Sequence, residues 1–96
     1  MTATSDEELA ALAKAVGHPA RVRILRLLGA RTTCMTRELA PELGLAASTV
    51  SEHLRILREA GLINTQTADG RPCYCLSEKG LQSLLAGVRD LGSATR

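Results

Sequence analysis

The amino-acid sequence predicts a mainly α-helical fold with one small β-hairpin. Several segments repeat apolar residues at intervals of three and four, the spacing of one helix face, whereas residues 62–76 are β-prone and are interrupted by the turn residues Ala68-Asp69-Gly70. The only aromatic residue is Tyr74, so the core must consist of Leu, Ile, Val and Ala. Because 96 residues are typical of one domain, we expect a single domain over residues 1–96.

Two helices are predicted in the first third of the chain. Ser5 and Glu8 have the spacing of a capping box, and the apolar positions after them predict a terminal helix over about 6–16. Pro19 suits the first turn of the next helix, which ends at Gly29 and has so many apolar residues that we expect it to be central. Three arginines of this helix are expected on a solvated face, with a phosphate contact as the alternative: Arg21, Arg23 and Arg26.

A second pair of helices is predicted over residues 36–60. Thr36 can cap the first of them, which ends at Gly44. Pro41 favours a later start, because proline inside a helix removes a backbone hydrogen bond. The following helix begins at about Ser48.

The remaining residues predict a hairpin and a last helix. Strands over 62–67 and 72–76 are joined by the turn, and Ser77 caps a terminal helix over 77–91. The complete order is helix, helix, short strand, helix, helix, hairpin, helix. This is the order of a winged helix-turn-helix, in which 36–60 is the reader and 62–76 is the wing.

The reader has the residues that two closely crossing helices need. Ala40 is small, Gly44 can adopt the positive φ of the turn, and Val50 faces the space between the helices. The opposite side of the second helix is then available to the major groove, where Ser, Thr and Arg contact bases and phosphates. The candidate DNA contacts are Ser48, Thr49, Ser51, His53, Arg55 and, in the wing, Arg71. For His53, a structural role is the alternative.

Four stretches have the pattern of a known family: GHPARVRILRLL (17–28), ELAPELGL (38–45), STVSEHLRILREAGLI (48–63) and DGRPCYCLS (69–77). Through them the chain resembles the ArsR/SmtB family of bacterial metal-responsive repressors, and the pattern H-L-x-x-L-R-x-A-G-L is the most specific part. The resemblance implies a homodimer built on the first and last helices, operator DNA as the partner, and release of that DNA when an effector binds.

The chain also departs from the family pattern. Members often have Ser-Gln where this chain has Ala46-Ala47, and arginine where it has Glu52. The thiolate pair of some members falls here on Met35 and Arg37. The zinc-type site of the last helix is missing, because both histidines lie elsewhere: His18, which we expect to be a helix cap or a core-edge residue, and His53.

The candidate effector site consists of three cysteines: Cys34, Cys73 and Cys75. In a winged helix the short stretch 32–35 lies beside the returning wing strand, which brings these thiols near one another. Cys73 and Cys75 share one strand face, and we expect Tyr74 and Leu76 on the core side. Thiolates without oxygen or nitrogen partners select soft ions, so arsenite is the expected effector, with mercury, cadmium, lead or copper(I) as alternatives. A thiol redox switch and inert cysteines remain open.

Composition narrows the class of protein. Twelve basic and ten acidic residues give a charge of +2, which is compatible with a locally basic face. The sequence has neither a membrane-spanning run nor a signal peptide, so we expect a cytoplasmic protein. No glycine loop or catalytic pairing indicates an enzyme, and a protein-interaction module is the alternative to a DNA-binding repressor. The ion, the operator, the role of Cys34 and the division of the site between subunits stay open.

Overall fold

The computed structural model describes residues 5–31, 34 and 39–93. In these ranges a two-stranded antiparallel sheet accompanies five helices. The elements are α1 (Asp6–Val16), α2 (Pro19–Gly29), α3 (Ala40–Leu43), α4 (Ala47–Glu59), β1 (Ile63–Ala68), β2 (Arg71–Leu76) and α5 (Glu78–Gly92). This is the predicted mainly α fold with a hairpin.

The first two helices begin at side-chain caps. The Ser5 hydroxyl accepts a hydrogen bond from the Glu8 backbone N–H, and the Glu8 carboxylate accepts one from the Ser5 N–H, which completes the predicted capping box. At the start of α2, the Nδ1 atom of His18 accepts a hydrogen bond from the Ala20 N–H. The predicted capping role of His18 is therefore confirmed.

Helix α3 and helix α4 form the helix-turn-helix. Helix α3 begins at Ala40, with Pro41 in its first turn, as the cost of an internal proline favours. Its predicted cap, Thr36, lies outside the described residues. Gly44 has a φ of 69°, a left-handed conformation that glycine adopts without a steric cost, and it lets the chain turn from α3 into α4.

The wing is a tight hairpin. Strand β1 pairs with strand β2 from Ile63 opposite Leu76 to Ala68 opposite Arg71. The two turn residues, Asp69 and Gly70, have φ values of 54° and 75°, the positive values that a type I′ turn requires. Strand β1 begins and ends one residue later than predicted, and strand β2 begins one residue earlier.

The core lies between α1, α2, α4 and the hairpin, and helix α2 is central to it. Ile24 of α2, Leu57 of α4 and Leu62 before β1 are the largest side chains that are fully buried. Leu12 of α1 is 6% exposed and belongs to this core, because α1 packs on the rest of the chain through that face. Val16 of α1 and Leu84 of α5 also pack against the core, so part of the apolar surface of the terminal helices is covered within the chain itself. None of the helices in the described ranges has the length and apolar character that crossing a bilayer requires.

Candidate nucleic-acid interface and cysteine pair

Helix α4 has one buried face and one exposed polar face. Val50, Leu54 and Leu57 are buried, as their spacing predicts. Ser48, Thr49 and Ser51 are exposed, and they lie in the first half of the helix, the part that reaches base edges in helix-turn-helix proteins. The N-cap residue, Ala46, provides no side-chain hydrogen bond, so the N–H groups of the first turn have no side-chain acceptor there. These groups and the hydroxyls form a surface suited to phosphates and base edges.

Arg55 lies on the same face but is paired with acidic residues of its own helix. Its guanidinium donates hydrogen bonds to the Glu52 carboxylate and, at 2.9 Å, to the Glu59 carboxylate. These hydrogen bonds raise the pKa of Arg55, and the Arg55 guanidinium lowers the pKa of Glu52. Arg55 must leave its carboxylates to contact a phosphate. These pairs can be read from the sequence, because Glu52 and Glu59 lie three residues before and four residues after Arg55, the spacings at which helix side chains meet.

The wing places a second basic group beside α4. Arg71 begins β2 and is exposed. It lines a groove with Pro72 and Tyr74 of the wing strand and with Ala47 and Ser51 of α4. The reader and the wing therefore share one concave surface that combines hydroxyl groups with a guanidinium.

His53 lies on the other side of α4. It is 8% exposed, and its ring lies 4.6 Å from the ring of His18, measured between centroids. Its Nδ1 atom accepts a hydrogen bond of 3.1 Å from Nε of Arg21. Of the two roles that the sequence allows, this position corresponds to the structural one, because a buried ring facing α2 is turned away from the exposed face of α4.

The contact of Arg21 was missed by the sequence analysis. We expected Arg21 on a solvated face, but it is half-buried between α1, α2 and α4. No local pattern indicates this contact, because Arg21 and His53 are 32 residues apart. Arg23 and Arg26 are exposed, as expected.

Two of the three cysteines are in direct contact. Cys34 and Cys75 form a disulfide between residues 41 apart in sequence, with their Cα atoms separated by 4.4 Å. This separation is at the lower end of the range that a disulfide spans. Cys73 is a free, buried thiol that lines the same groove as the other two cysteines. Among the described residues, no group of three or more Cys, His, Asp or Glu side chains is arranged to hold a metal ion.

The faces of β2 differ from the prediction. Tyr74 and Leu76 pack against the core, as expected, but both are only half-buried, whereas Cys73 is 6% exposed and is the most buried residue of the strand. The reason is that both faces of this strand are partly covered. Leu28 and Gly29 of α2 line the groove on the cysteine side, and the reader lies on the Tyr74 side.

Comparisons with known proteins agree with this architecture. Residues 18–65 match the model of a family described as bacterial regulatory protein, arsR family. The HTH-type transcriptional regulator YgaV of Escherichia coli K12 is 34% identical over 87 residues, which cover 91% of this chain and 88% of that protein.

Two solved structures are similar in both fold and sequence. A possible transcriptional regulator for arsenical resistance superposes with a TM-score of 0.72 and 29% identity, covering 84% of this chain and 83% of that one. Reduced HlyU from Vibrio cholerae N16961 superposes with a TM-score of 0.69 and 29% identity, covering 91% and 90%. The matched proteins are transcriptional regulators and not enzymes. The similarity to solved regulators also agrees with the predicted winged helix-turn-helix. The chain belongs to the ArsR family of bacterial transcriptional regulators.

Proposed function

We propose that the protein is a cytoplasmic, homodimeric repressor that binds operator DNA and releases it when Cys34 and Cys75 become linked. The observation that carries this proposal is the contact of these two cysteines beside the wing strand. Cys34 lies on the segment between α2 and α3, and Cys75 lies on β2. A covalent or ionic link between them therefore fixes the wing relative to the segment that precedes the reader.

The proposed DNA contacts lie on both sides of the groove between α4 and β2. Ser48, Thr49 and Ser51 face base edges and phosphates, Arg71 binds a phosphate beside them, and Arg55 joins after leaving its carboxylates. A shift of the wing moves Arg71 relative to Ser51, across the groove that both line. A change at the cysteines then alters the position of the wing contact, Arg71, relative to the hydroxyl contacts of α4, so that both cannot bind the same DNA site.

The effector favoured by the structure is an oxidant. Two thiols lose two electrons and two protons to form the Cys34–Cys75 disulfide, and a hydroperoxide accepts them, giving an alcohol and water. A similar chain, HlyU from Vibrio cholerae N16961, has been described in a reduced form, and this likeness supports a redox effector. Binding and redox state are linked. If the disulfide weakens operator binding about 100-fold, or ~2.7 kcal/mol, then bound operator DNA raises the reduction potential of the Cys34–Cys75 pair by about 60 mV, because it stabilises the dithiol.

A soft ion is the second candidate effector. The reduced pair provides two thiolates, which are suited to arsenite, mercury, cadmium, lead or copper(I). Cys73 lines the same groove, and a side-chain rearrangement would be needed for it to become a third ligand. This candidate is supported by the likeness to a possible regulator for arsenical resistance.

A binding experiment separates these effectors. A duplex is first selected from a random-sequence library with the reduced protein, and its dissociation constant is then measured with reductant, with hydroperoxide and with arsenite. We expect hydroperoxide to weaken binding about 100-fold in the parent and to have no effect on Cys34→Ser or Cys75→Ser. The matched control, Cys73→Ser, should keep the response to hydroperoxide.

The outcomes are distinct. Release by arsenite in the absence of oxidant, lost in Cys34→Ser and Cys75→Ser, would assign the pair to a soft ion. Salt-dependent duplex binding that neither agent changes would leave a DNA-binding regulator with inert cysteines and would contradict the proposed control. Absence of duplex binding at any salt concentration would favour a protein-interaction module.

A further inference from the structure

Arg21 connects three helices. Its Nε donates a hydrogen bond of 3.1 Å to Nδ1 of His53 on α4. Its Nη1 lies 3.4 Å from the carbonyl oxygens of Lys14 and Ala15, and is oriented to donate to both, at the C-terminal end of α1. One guanidinium on α2 therefore ties the end of a terminal helix to the reader helix.

The contact depends on the protonation state of His53. An imidazole accepts a hydrogen bond at Nδ1 only when it is neutral and its hydrogen is on Nε2. A proton on Nδ1 would replace the acceptor with a second donor and would place a positive charge against the Arg21 guanidinium. The contact to Arg21 is therefore available only to the neutral ring.

The surroundings of His53 also favour the neutral ring. From α2 and its cap, the charged Arg21 and the titratable His18 face it, and from α4 itself Glu52 does. Helix α1 contributes the carbonyl oxygens of Lys14 and Ala15 to the same cluster, through Arg21. Burial is the main cause that lowers the pKa of His53, followed by His18 and Arg21, while Glu52 acts in the opposite direction.

We propose that Arg21 is a positioning residue that holds the reader helix for DNA binding through neutral His53, so that acidification weakens operator binding. This inference rests on α4 as the reader helix and is independent of the cysteine pair. The sign is unusual, because protonation of a histidine near DNA adds a positive charge and ordinarily strengthens binding to phosphates. A phosphate contact by His53 and a tie to Arg21 therefore predict opposite pH profiles.

The test measures operator affinity against pH with reductant present. Using the duplex selected by the parent protein, we expect the dissociation constant to rise between pH 7.5 and pH 5.5, by up to about tenfold per subunit, which is the limit for an imidazole that has its ordinary pKa in the released state. In His53→Gln, which cannot titrate, the ratio of the two constants should fall to about one. Arg21→Met should weaken binding at pH 7.5 and remove the acid dependence, and Arg21→Lys should restore part of the affinity.

Two controls isolate the contact. Arg26→Met removes an exposed arginine of the same helix and should keep the acid-dependent weakening. His18→Asn retains a side-chain acceptor at the N-cap and should also keep it. Loss of the acid dependence in His18→Asn would assign the titration to His18 and overturn the proposal.

A measurement on the parent protein needs no variant to fold. The pKa of His53, followed by NMR of its imidazole protons, should be lower with the operator bound than without it, because the bound form holds the ring neutral. An equal or higher pKa in the complex would contradict the tie, as would operator affinity that rises on acidification. A parent chain that binds no duplex would contradict the DNA-binding role of α4 and, with it, this inference.

Discussion

At the scale of single residues, the main competition on the reader helix is for Arg55. Glu52 and Glu59 hold its guanidinium, and Glu52 is itself exposed on the face that we assign to DNA. The pairs are exposed, so solvent screens them and they contribute little to stability. Their effect is instead on DNA, because each carboxylate both occupies the arginine and repels phosphates.

We therefore expect Glu52→Gln to strengthen DNA binding. The change removes a negative charge and releases one side of Arg55, which can then contact a phosphate. A plot of log affinity against log salt concentration should become steeper by about 0.9 for each new phosphate contact. Filter binding or fluorescence anisotropy over a salt series measures this slope.

The matched control is Glu7→Gln on α1, where an exposed carboxylate is removed away from the reader. Its salt slope should equal that of the parent. Weaker binding of Glu52→Gln to the selected operator would instead indicate that Glu52 accepts a hydrogen bond from a cytosine amino group.

At the scale of elements, the close approach of α5 to the turn before β1 depends on Gly80. A Cβ atom at this position would overlap the carbonyl oxygen of Gly61 and would lie 2.8 Å from its carbonyl carbon. Backbone atoms, unlike the end of a flexible side chain, cannot move aside without shifting the turn. The N-terminus of α5 can pack here because residue 80 has no side chain.

We expect Gly80→Ala to lower the free energy of unfolding by about 1–3 kcal/mol, the usual cost of overpacking. Urea denaturation at a fixed protein concentration measures the change. Gly92→Ala, at the other end of the same helix, places a Cβ that meets no atom of the described residues within 4 Å, apart from its chain neighbours and the backbone of its own helix, and should leave the stability unchanged or raise it by up to ~1 kcal/mol. Equal stabilities for Gly80→Ala and the parent would show that the turn can move.

The helices and the contacts between them differ in how far the sequence predicts them. Helix α1 has its predicted bounds because Ser5, Glu8 and the apolar repeat are all local signals. The proximity of Cys34 to Cys75 was expected from the position of the wing, but the bonding of this pair, rather than a site of three thiols, depends on side-chain positions that strand spacing does not determine. The Arg21–His53 contact depends on how α2 crosses α4, which periodicity does not encode.

At the scale of the whole molecule, the exposed large hydrophobic residues of the described ranges all lie on α5. Four residues of this helix are large, hydrophobic and exposed, to between 40% and 68%: Leu81, Leu85, Val88 and Leu91. They recur at intervals of three and four and so form one stripe along α5, next to the side that Gly87 packs on Leu9 of α1. A second copy of the chain can cover this stripe with its own, since a two-fold interface pairs the same surface on both subunits.

We expect Leu85→Glu to separate such a dimer and to weaken operator binding. Leu85 is 55% exposed, and covering this fraction in both subunits would contribute about 2–3 kcal/mol, so its loss should raise the dimer dissociation constant on the order of 100-fold. A monomer binds one half-site, whereas a dimer binds two that lie about one DNA turn apart. Loss of the dimer should therefore lower the affinity for a two-fold symmetric operator. Sedimentation at micromolar concentration and operator titration measure the two effects.

Asp90→Lys, which changes the charge on the opposite side of α5, should alter neither. If the parent protein is a monomer and still binds the operator, the stripe of α5 has another partner.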